Sequence, residues 1–317
     1  MSRLKRSPYP RLEVHLLREG IVESIHQVEV TVADDKGRTL CAAGNPETVA
    51  FTRSALKPFQ ALAVSSTGVL ERFDLNDKDL AIMCASHQGT IEQARQVFNI
   101  LWKADIDPNG LRCPIPEGKD SALQHNCSGK HAGMLAACQQ RNWSLDNYFH
   151  RSNPVQGLIL KKISELLSMP SDELMAARDD CGVPTYALPL SQMATLYAKL
   201  ACGSNIDLER ILRAMTRNPE MIAGEGAFDT ELMILTEGAL VSKSGAEGVQ
   251  CVGNISQDMG LAIKVLDGAR RAKYACAIQV LKQMGWITPT VAEKLGDKFL
   301  RIDEYRRLEV GGECTFV

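Results

Sequence analysis

The stretch HQVEVTVADDKGRTLCAAG, residues 26–44, decides the fold class of this 317-residue chain. Its first part alternates between apolar and polar residues, which is the period of a β-strand with one buried face. Asp35, Lys36 and Gly37 then supply the residue types of a tight turn before a second strand-like segment. The stretch therefore predicts paired strands near the start of the chain.

Segments of the same character recur at both ends of the sequence, whereas the middle has apolar residues at three- and four-residue spacing, as in amphipathic helices. The other strand-like segments are 11–20, 248–256, 259–268 and 305–316. The helical segments are 54–68, 90–104, 129–141, 153–169, 190–203, 206–219, 229–240 and 269–285. This order predicts an α+β fold: a mostly antiparallel sheet built from both termini, flanked by helices, with a helical body. We expect one catalytic domain over residues 1–317, with a helical lobe at about 70–235.

The composition favours an enzyme of small molecules. Lys and Arg number 36 against 38 Asp and Glu, so the net charge of −2 indicates neither a nucleic-acid partner nor an anionic membrane. Charged residues interrupt the stretch after the basic first ten residues, which leaves no apolar segment of the length found in a signal peptide or membrane span. We therefore expect a cytoplasmic protein whose ten cysteines are mostly free thiols.

The segment TRSALKPFQ, residues 52–60, places a serine and a lysine three positions apart. One turn of helix brings such positions onto the same face, so Ser54 and Lys57 could form a nucleophile and its base. A solvated helix start is the common alternative for an isolated Ser-x-x-Lys match. Further along, Ser86 and His87 follow a short apolar run and precede a glycine; there the alternative is that Ser86 or Thr90 caps the next helix.

One more motif gives these serines context. Lys243, Ser244 and Gly245 precede a strand-like run, and penicillin-recognising serine hydrolases combine Ser-x-x-Lys with such a Lys-Ser/Thr-Gly strand in this order. The intermediate Ser-Asp-Asn motif of those enzymes is absent, and Ser86 would have to fill its place.

The segments HNCSGKHAGM (125–134) and RDDCGVP (178–184) bring the third set of candidates. Cys127, Lys130 and Cys181 offer thiolate and nitrogen ligands of the kind that zinc takes, although they lack the close Cys-x-x-Cys pairing of many zinc sites. Buried thiols without metal are the alternative.

Taken together, TRSALKP, CASHQG, HNCSGKHAGM, DDCGVP and KSGAEG closely resemble the asparaginase II family, the Rhizobium-type L-asparaginases. The resemblance extends over nearly the entire chain. It implies a fold similar to serine β-lactamases and glutaminases. It also implies hydrolysis of the side-chain amide of L-asparagine to L-aspartate and ammonia, in a homodimer.

The resemblance also assigns roles to individual residues. It implies two catalytic Ser-Lys tandems, Ser54 with Lys57 and Ser86 with Lys243. It implies a zinc site close to the substrate pocket, and substrate contacts around it. The zinc ligands would be Cys127, Lys130 and Cys181, and the substrate-binding residues would be Arg53, His87, Asp179 and Gly245.

The mechanism that we hypothesise from these roles begins with uncharged Lys57 taking the proton of Ser54. Ser54 attacks the amide carbon to give a β-aspartyl ester, and water hydrolyses that ester. The backbone N–H of Ser54, at a helix start, would stabilise the oxyanion. Ser86 and Lys243 would relay a proton to the departing ammonia, and zinc would orient substrate rather than generate the nucleophile.

Several alternatives remain open at this level. A zinc-bound water could attack instead of a serine. A related amidase, glutaminase-like or β-lactamase-like, could use the same tandem on another substrate. A non-catalytic zinc or amino-acid sensor, or a redox sensor that uses its thiols, comes from a different class of function.

Overall fold

The computed structural model of the protein describes residues 7–317, which divide into two compact units. The sheet unit comprises the described part of Met1–Ala50 together with Leu188–Cys202 and Leu235–Val317. The helical unit comprises Phe51–Ala187 and Gly203–Ile234. The single catalytic domain expected from the sequence, with its helical lobe at about 70–235, stays a prediction.

The strands of the described chain lie mostly toward its two ends. They are β1 (Leu12–Arg18), β2 (Ile21–Asp34), β3 (Thr39–Ala43), β4 (Val49–Phe51), β5 (Met175–Arg178), β6 (Pro184–Pro189), β7 (Leu240–Ser244), β8 (Val249–Asn254), β9 (Met259–Val265), β10 (Arg306–Gly311) and β11 (Thr315–Phe316).

The α-helices fill most of the middle. They are α1 (Lys57–Ser65), α2 (Val69–Arg72), α3 (Asp77–Met83), α4 (Ile91–Lys103), α5 (Ser128–Gln140), α6 (Pro154–Leu167), α7 (Leu190–Cys202), α8 (Ile206–Arg217), α9 (Pro219–Ile222), α10 (Phe228–Leu235), α11 (Arg270–Gln283) and α12 (Pro289–Phe299). Short 3-10 helices occupy Arg53–Leu56, Pro108–Gly110, Ala122–Gln124 and Ser171–Glu173.

The sheet unit is built on one antiparallel sheet. Its main path runs β10-β1-β2-β9-β8-β7, and β3 pairs with both β2 and β11. Strands from the N-terminal and C-terminal parts of the sequence are therefore neighbours in one sheet. The predicted α+β class, with a mostly antiparallel sheet from both termini, is confirmed.

The stretch 26–44 forms the β2–β3 hairpin. The carboxylate of Asp34 accepts hydrogen bonds from the backbone N–H groups of Lys36 and Arg38, and Gly37 takes a φ of 84°, which favours glycine. Every residue from Val28 to Asp34 is buried. Both faces of β2 are therefore covered, and α7 and α11 pack on it within this unit.

In the helical unit, α5 is the central element. It packs against α1, α3, α4 and α6, and Ser128 through Cys138 are all buried. A Cβ atom on Gly129 would lie 2.0 Å from the backbone oxygen of Ile82, so only glycine permits this approach of α5 to α3. The close approach fixes the start of α5, where several candidate site residues lie.

The sequence-based segments differ from the structure in several places. The segment 305–316, predicted as one edge strand, forms two strands with different partners, because β10 pairs with β1 and β11 with β3. The helix predicted over 229–240 ends at Leu235, and Leu240 already begins β7. The antiparallel pair β5–β6 and helix α12 were not predicted. No helix among residues 7–317 is long and apolar enough to cross a bilayer.

Candidate active site

The side chain of Lys57 is completely buried at the first position of α1. Its Nζ donates hydrogen bonds to the backbone oxygens of Ala85 and Asn126, at 2.5 and 3.2 Å, and to Oγ of Ser86 at 3.0 Å. A buried amine must satisfy its donors in this way. Lys57 and Ser86 are thus brought together from positions 29 residues apart in sequence.

Ser54 lies on the 3-10 helix that leads into α1, and its side chain is partly exposed. Its backbone oxygen accepts the N–H of Lys57, but in the described part of the chain the side-chain bonds of Lys57 do not include the Ser54 hydroxyl. The residue before it, Arg53, has a φ of 49°, a left-handed conformation that non-glycine residues rarely adopt. The backbone is therefore held in a strained turn immediately before Ser54.

Ser86 follows the end of α3, and its backbone N–H donates to the carbonyl of Ile222 over 2.8 Å. That N–H is consequently occupied and cannot also serve an oxyanion. The cap of α4 is Thr90, whose hydroxyl accepts the N–H of Gln93 at 3.2 Å. The capping alternative thus holds for Thr90 and not for Ser86.

Both ring nitrogens of His87 are engaged within the protein. The N–H of Gly89 donates to Nδ1 at 3.1 Å, so Nε2 carries the proton and donates to Oγ of Ser128 at 2.9 Å. The Ser128 hydroxyl in turn donates a hydrogen bond to the carbonyl of Leu123 at 2.7 Å. Burial, with Lys57 nearby, lowers the pKa of His87 to about 3.

Arg53 is held by two consecutive carboxylates. Its Nε lies 2.7 Å from Asp179, which is buried, and its guanidinium also contacts Asp180, which is exposed. Burial alone would raise the pKa of Asp179, but Lys130 and Arg53 lower it below its usual range. Asp179 is therefore ionised, and a positively charged group could bind beside it.

Cys127, Lys130 and Cys181 form a buried cluster. Nζ of Lys130 donates to Sγ of Cys181 at 3.2 Å. A hydrogen bond from Cys127 and the charge of Lys130 lower the pKa of Cys181 to about 5, against the effect of burial. Burial disfavours the charge on Lys130, but the neighbouring sulfurs raise its pKa above the usual range.

A donor set of two thiols and one amine fits a zinc ion with an open fourth position, because one thiol is already ionised. Lys130 donates a hydrogen bond to that thiolate, and it would have to lose a proton before its amine could bind metal. Within residues 7–317, no cluster of three or more His, Cys, Asp and Glu side chains is arranged to hold a metal ion.

His131 follows Lys130 on α5, within the motif HNCSGKHAGM. Its Nδ1 lies 2.6 Å from the hydroxyl of Tyr148, and both side chains are completely buried. Burial and the charge of Lys130 lower the pKa of His131 to about 3. The backbone N–H of Arg112 also donates to the Tyr148 hydroxyl at 2.9 Å.

Lys243 and Gly245 belong to the sheet unit. Lys243 lies on β7, and its buried side chain donates from Nζ to the backbone oxygen of Ser244 at 3.0 Å. Gly245 follows the strand, and its N–H donates to the carbonyl of Val249 over 2.9 Å. The Lys-Ser-Gly motif thus lies at the end of a strand.

Sequence analysis missed three contributors within the helical unit. Asp180 shares Arg53 with Asp179, Ser128 supports His87, and Tyr148 supports His131. Asp180 was adjacent to an assigned residue in the quoted motif. Tyr148 carried no signal, because it reaches His131 only through the packing of the fold.

A sequence model described as L-asparaginase II matches residues 14–316, nearly the whole chain. A match of this extent defines the class of the protein as an amidohydrolase of the asparaginase type. The chain belongs to the L-asparaginase II family, as the motifs predicted. No curated protein matches the sequence.

Among solved structures, this chain is 13% identical in sequence to Mglu in its native form, with a TM-score of 0.37. The match covers 82% of this chain and 65% of the Mglu chain. A β-lactamase from Mycobacterium bovis is 12% identical with a TM-score of 0.46, and the match covers 86% of this chain and 95% of that chain. The chain thus spans 65% of the length of the Mglu chain that it matches. Similarity of this degree identifies no shared substrate.

Proposed function

We propose that the protein is an L-asparaginase that hydrolyses the side-chain amide of L-asparagine to L-aspartate and ammonia through a serine ester. Family membership supports the class of reaction. The observation that carries the mechanism is the bond of 3.0 Å between the buried amine of Lys57 and the hydroxyl of Ser86. A buried lysine in contact with a serine is the arrangement that a Ser-Lys mechanism requires.

With its two carbonyl partners, the uncharged form of Lys57 could act as a base. An uncharged amine has two N–H bonds and one lone pair, and the oxygens of Ala85 and Asn126 can accept both N–H bonds. The lone pair of the uncharged amine is then directed toward Ser86, the third neighbour. From there Lys57 can take the hydroxyl proton as the serine attacks the amide carbon.

Two serines compete for the role of nucleophile. The motif resemblance assigns attack to Ser54, whereas the hydrogen bond from Lys57 favours Ser86. The two can share the work, because Ser54 begins a helical segment and its backbone N–H is suited to stabilise an oxyanion. We propose that Lys57 activates whichever serine is acylated, and Ser86 is the one that the geometry of Lys57 supports.

Substrate binding follows from the charges of the helical unit. Asparagine carries an α-ammonium and an α-carboxylate. The ionised Asp179 can hold the ammonium, and Arg53 can bind the carboxylate while it keeps its bond to Asp179. His87 would act through its hydrogen-bonded ring as a support for this region, since its nitrogens are already engaged.

Zinc, held by Cys127, Lys130 and Cys181, belongs to the same proposal. When bound, the ion would supply a positive charge that orients a carboxylate or carbonyl oxygen. The chain's own residues provide the nucleophile and the base, so no step requires a metal-bound hydroxide. Lys243 and Gly245, which the resemblance places in the second tandem and in substrate binding, complete the proposed set.

The direct test is to trap the ester during asparagine turnover, by rapid acid quench and intact-mass analysis followed by peptide mapping. An adduct on Ser86 or Ser54 supports the proposal and assigns the nucleophile. If the protein releases no ammonia from asparagine but releases it from glutamine, or opens a β-lactam, the protein would be a related amidase instead.

The alternative mechanism is attack by a zinc-bound water. It predicts that a variant with both Ser54 and Ser86 replaced by alanine keeps partial, zinc-dependent activity, whereas a serine mechanism predicts near-complete loss. The homodimer and the cytoplasmic location also remain proposals, and light scattering of the purified protein would measure the first.

A further inference from the structure

One polar atom next to the candidate zinc ligands has no partner within the described residues. Nε2 of His131 is buried and makes no hydrogen bond, although the other ring nitrogen is bonded. Buried polar groups in folded proteins are almost always paired, and an exception calls for a partner such as a water molecule, an ion or a ligand. This atom is therefore worth explaining.

The bonds of Tyr148 decide which nitrogen of His131 carries the proton. The backbone N–H of Arg112 donates to the Tyr148 hydroxyl, so the hydroxyl oxygen acts as an acceptor there. The phenolic proton then has Nδ1 of His131, 2.6 Å away, as its acceptor. A ring that accepts at Nδ1 holds its own proton on Nε2. The unpaired atom is thus an N–H donor without an acceptor.

The surroundings of the ring show what kind of acceptor would suit this donor. His131 lies within electrostatic range of Lys130, Cys127, Lys57 and Asp179, all residues of the candidate site. Two of these groups are lysines, one of which contacts Ser86 and the other Cys181. An oxygen that carries negative charge would satisfy the N–H, and the two lysines would offset that charge beside Cys127 and Asp179.

We propose that the Nε2–H of His131, set in place by Tyr148, is a hydrogen-bond donor to an anionic oxygen of the bound dicarboxylic amino acid or of its acyl intermediate. This inference deepens the proposed function, because it adds a substrate-binding residue to the same site. Tyr148 is a positioning residue: it touches no substrate and fixes the tautomer of the ring that does.

The first test concerns the tautomer and is independent of activity. A long-range ¹⁵N–¹H correlation spectrum of the ligand-free protein distinguishes Nε2–H from Nδ1–H histidines. We expect His131 to be an Nε2–H ring that becomes partly Nδ1–H in Tyr148→Phe. Observation of Nδ1–H in the unmodified protein would overturn the proposal, whether or not the protein hydrolyses asparagine.

The second test measures binding of L-aspartate, the product, by calorimetry. In His131→Leu we expect binding about tenfold to a hundredfold weaker, as for the loss of one hydrogen bond to a charged group. His131→Gln can place an amide N–H near the position of Nε2, so we expect it to bind within about threefold of the unmodified protein. The zinc content and thermal unfolding of each variant are measured alongside.

Two outcomes would contradict the proposal in this second test. One is a folded His131→Leu protein that binds L-aspartate with unchanged affinity. The other is an L-aspartate affinity that depends on His131 only while zinc is bound, because the N–H would then donate to a metal-bound water. If His131→Leu fails to fold, the comparison of His131→Gln with Tyr148→Phe decides, since only Tyr148→Phe should weaken binding.

Discussion

Lys57 and Ser86 share a hydrogen bond of 3.0 Å although helix α1 and the segment after α3 supply them separately. The bond is possible because two backbone carbonyls hold the lysine amine in place, and because the side chain that carries the amine is buried throughout. The pair thus has little freedom to separate, and any chemistry at Ser86 takes place against this amine.

Replacement of Lys57 by methionine keeps the apolar stem of the side chain and removes the base. We expect kcat for asparagine to fall by at least about a hundredfold, the range of a lost general base. Lys161→Met is the matched control, because Lys161 is an exposed lysine of the same unit. Steady-state ammonia release checks the prediction. A Lys57→Met protein that is folded and retains normal kcat would exclude Lys57 as the base.

A double-mutant cycle identifies the serine that works with Lys57. Residues that act as one catalytic unit are strongly non-additive, so Lys57→Met combined with Ser86→Ala should be no slower than the worse single variant. Ser54→Ala keeps the backbone N–H, so the same cycle with this substitution should show little loss from Ser54→Ala if Ser54 acts mainly through its backbone. If the loss from Ser86→Ala is additive with that from Lys57→Met, and the loss from Ser54→Ala is not, Ser54 would be the nucleophile. The measured quantity is kcat/KM.

The thiolate of Cys181 should decide zinc content. After dialysis against a low zinc concentration, Cys181→Ser should retain zinc with an affinity reduced by more than about tenfold. Cys138→Ser is the control, since burial raises the pKa of this thiol to about 12 and it contacts Asn153 instead. Elemental mass spectrometry gives the stoichiometry. Equal zinc in both variants would place the metal elsewhere. Complete loss of turnover on zinc removal, restored only by zinc, would make the ion essential to the chemistry.

The neutral ring of His87 makes the folded protein sensitive to acid. Its pKa is about 3 in the folded state against 6.5 in the unfolded chain, so between these values the unfolded state binds more protons. The free energy of unfolding therefore decreases as the pH falls from about 6.5 toward 3, by up to about 1.4 kcal/mol per pH unit for one proton. Urea denaturation of His87→Gln should show a slope smaller by about one proton. His150→Gln, at an exposed position, should leave the slope unchanged.

Two helical glycines should respond in opposite directions to alanine. A Cβ on Gly129 would collide with the backbone of Ile82, whereas a Cβ on Gly157 in α6 meets nothing within 4 Å. Gly129→Ala should lose more than about 2 kcal/mol of the free energy of unfolding, because the backbone of α3 would have to move to relieve the collision. Gly157→Ala should gain about 0.5–1 kcal/mol from helix propensity. Chemical denaturation compares the two, and a Gly129→Ala protein of undiminished stability would contradict the close packing of α5 on α3.

The sequence was sufficient for the fold class because alternation and turn residues are local signals. Residues 26–44 show this, since Asp34 and Gly37 build the hairpin from their own backbone neighbourhood. The motifs likewise identified the family. Pairing within the site was not local. Ser54 is one turn from Lys57 in sequence, yet the amine bonds to Ser86, because the packing of two helices decides its direction. Tyr148 could not be predicted for the same reason, because its contact with His131 depends on tertiary packing.

The order of the strands in the sheet has a consequence for synthesis of the protein. Strand β2 lies between β1 and β9, and Val28 pairs with Val265. On the ribosome, one edge of β2 therefore has no β9 partner until most of the polypeptide has been synthesised. Such long-range pairing slows folding and leaves an unprotected strand edge in the nascent chain. Chains that terminate before β9 would carry that open edge permanently and should be prone to aggregate or to be degraded.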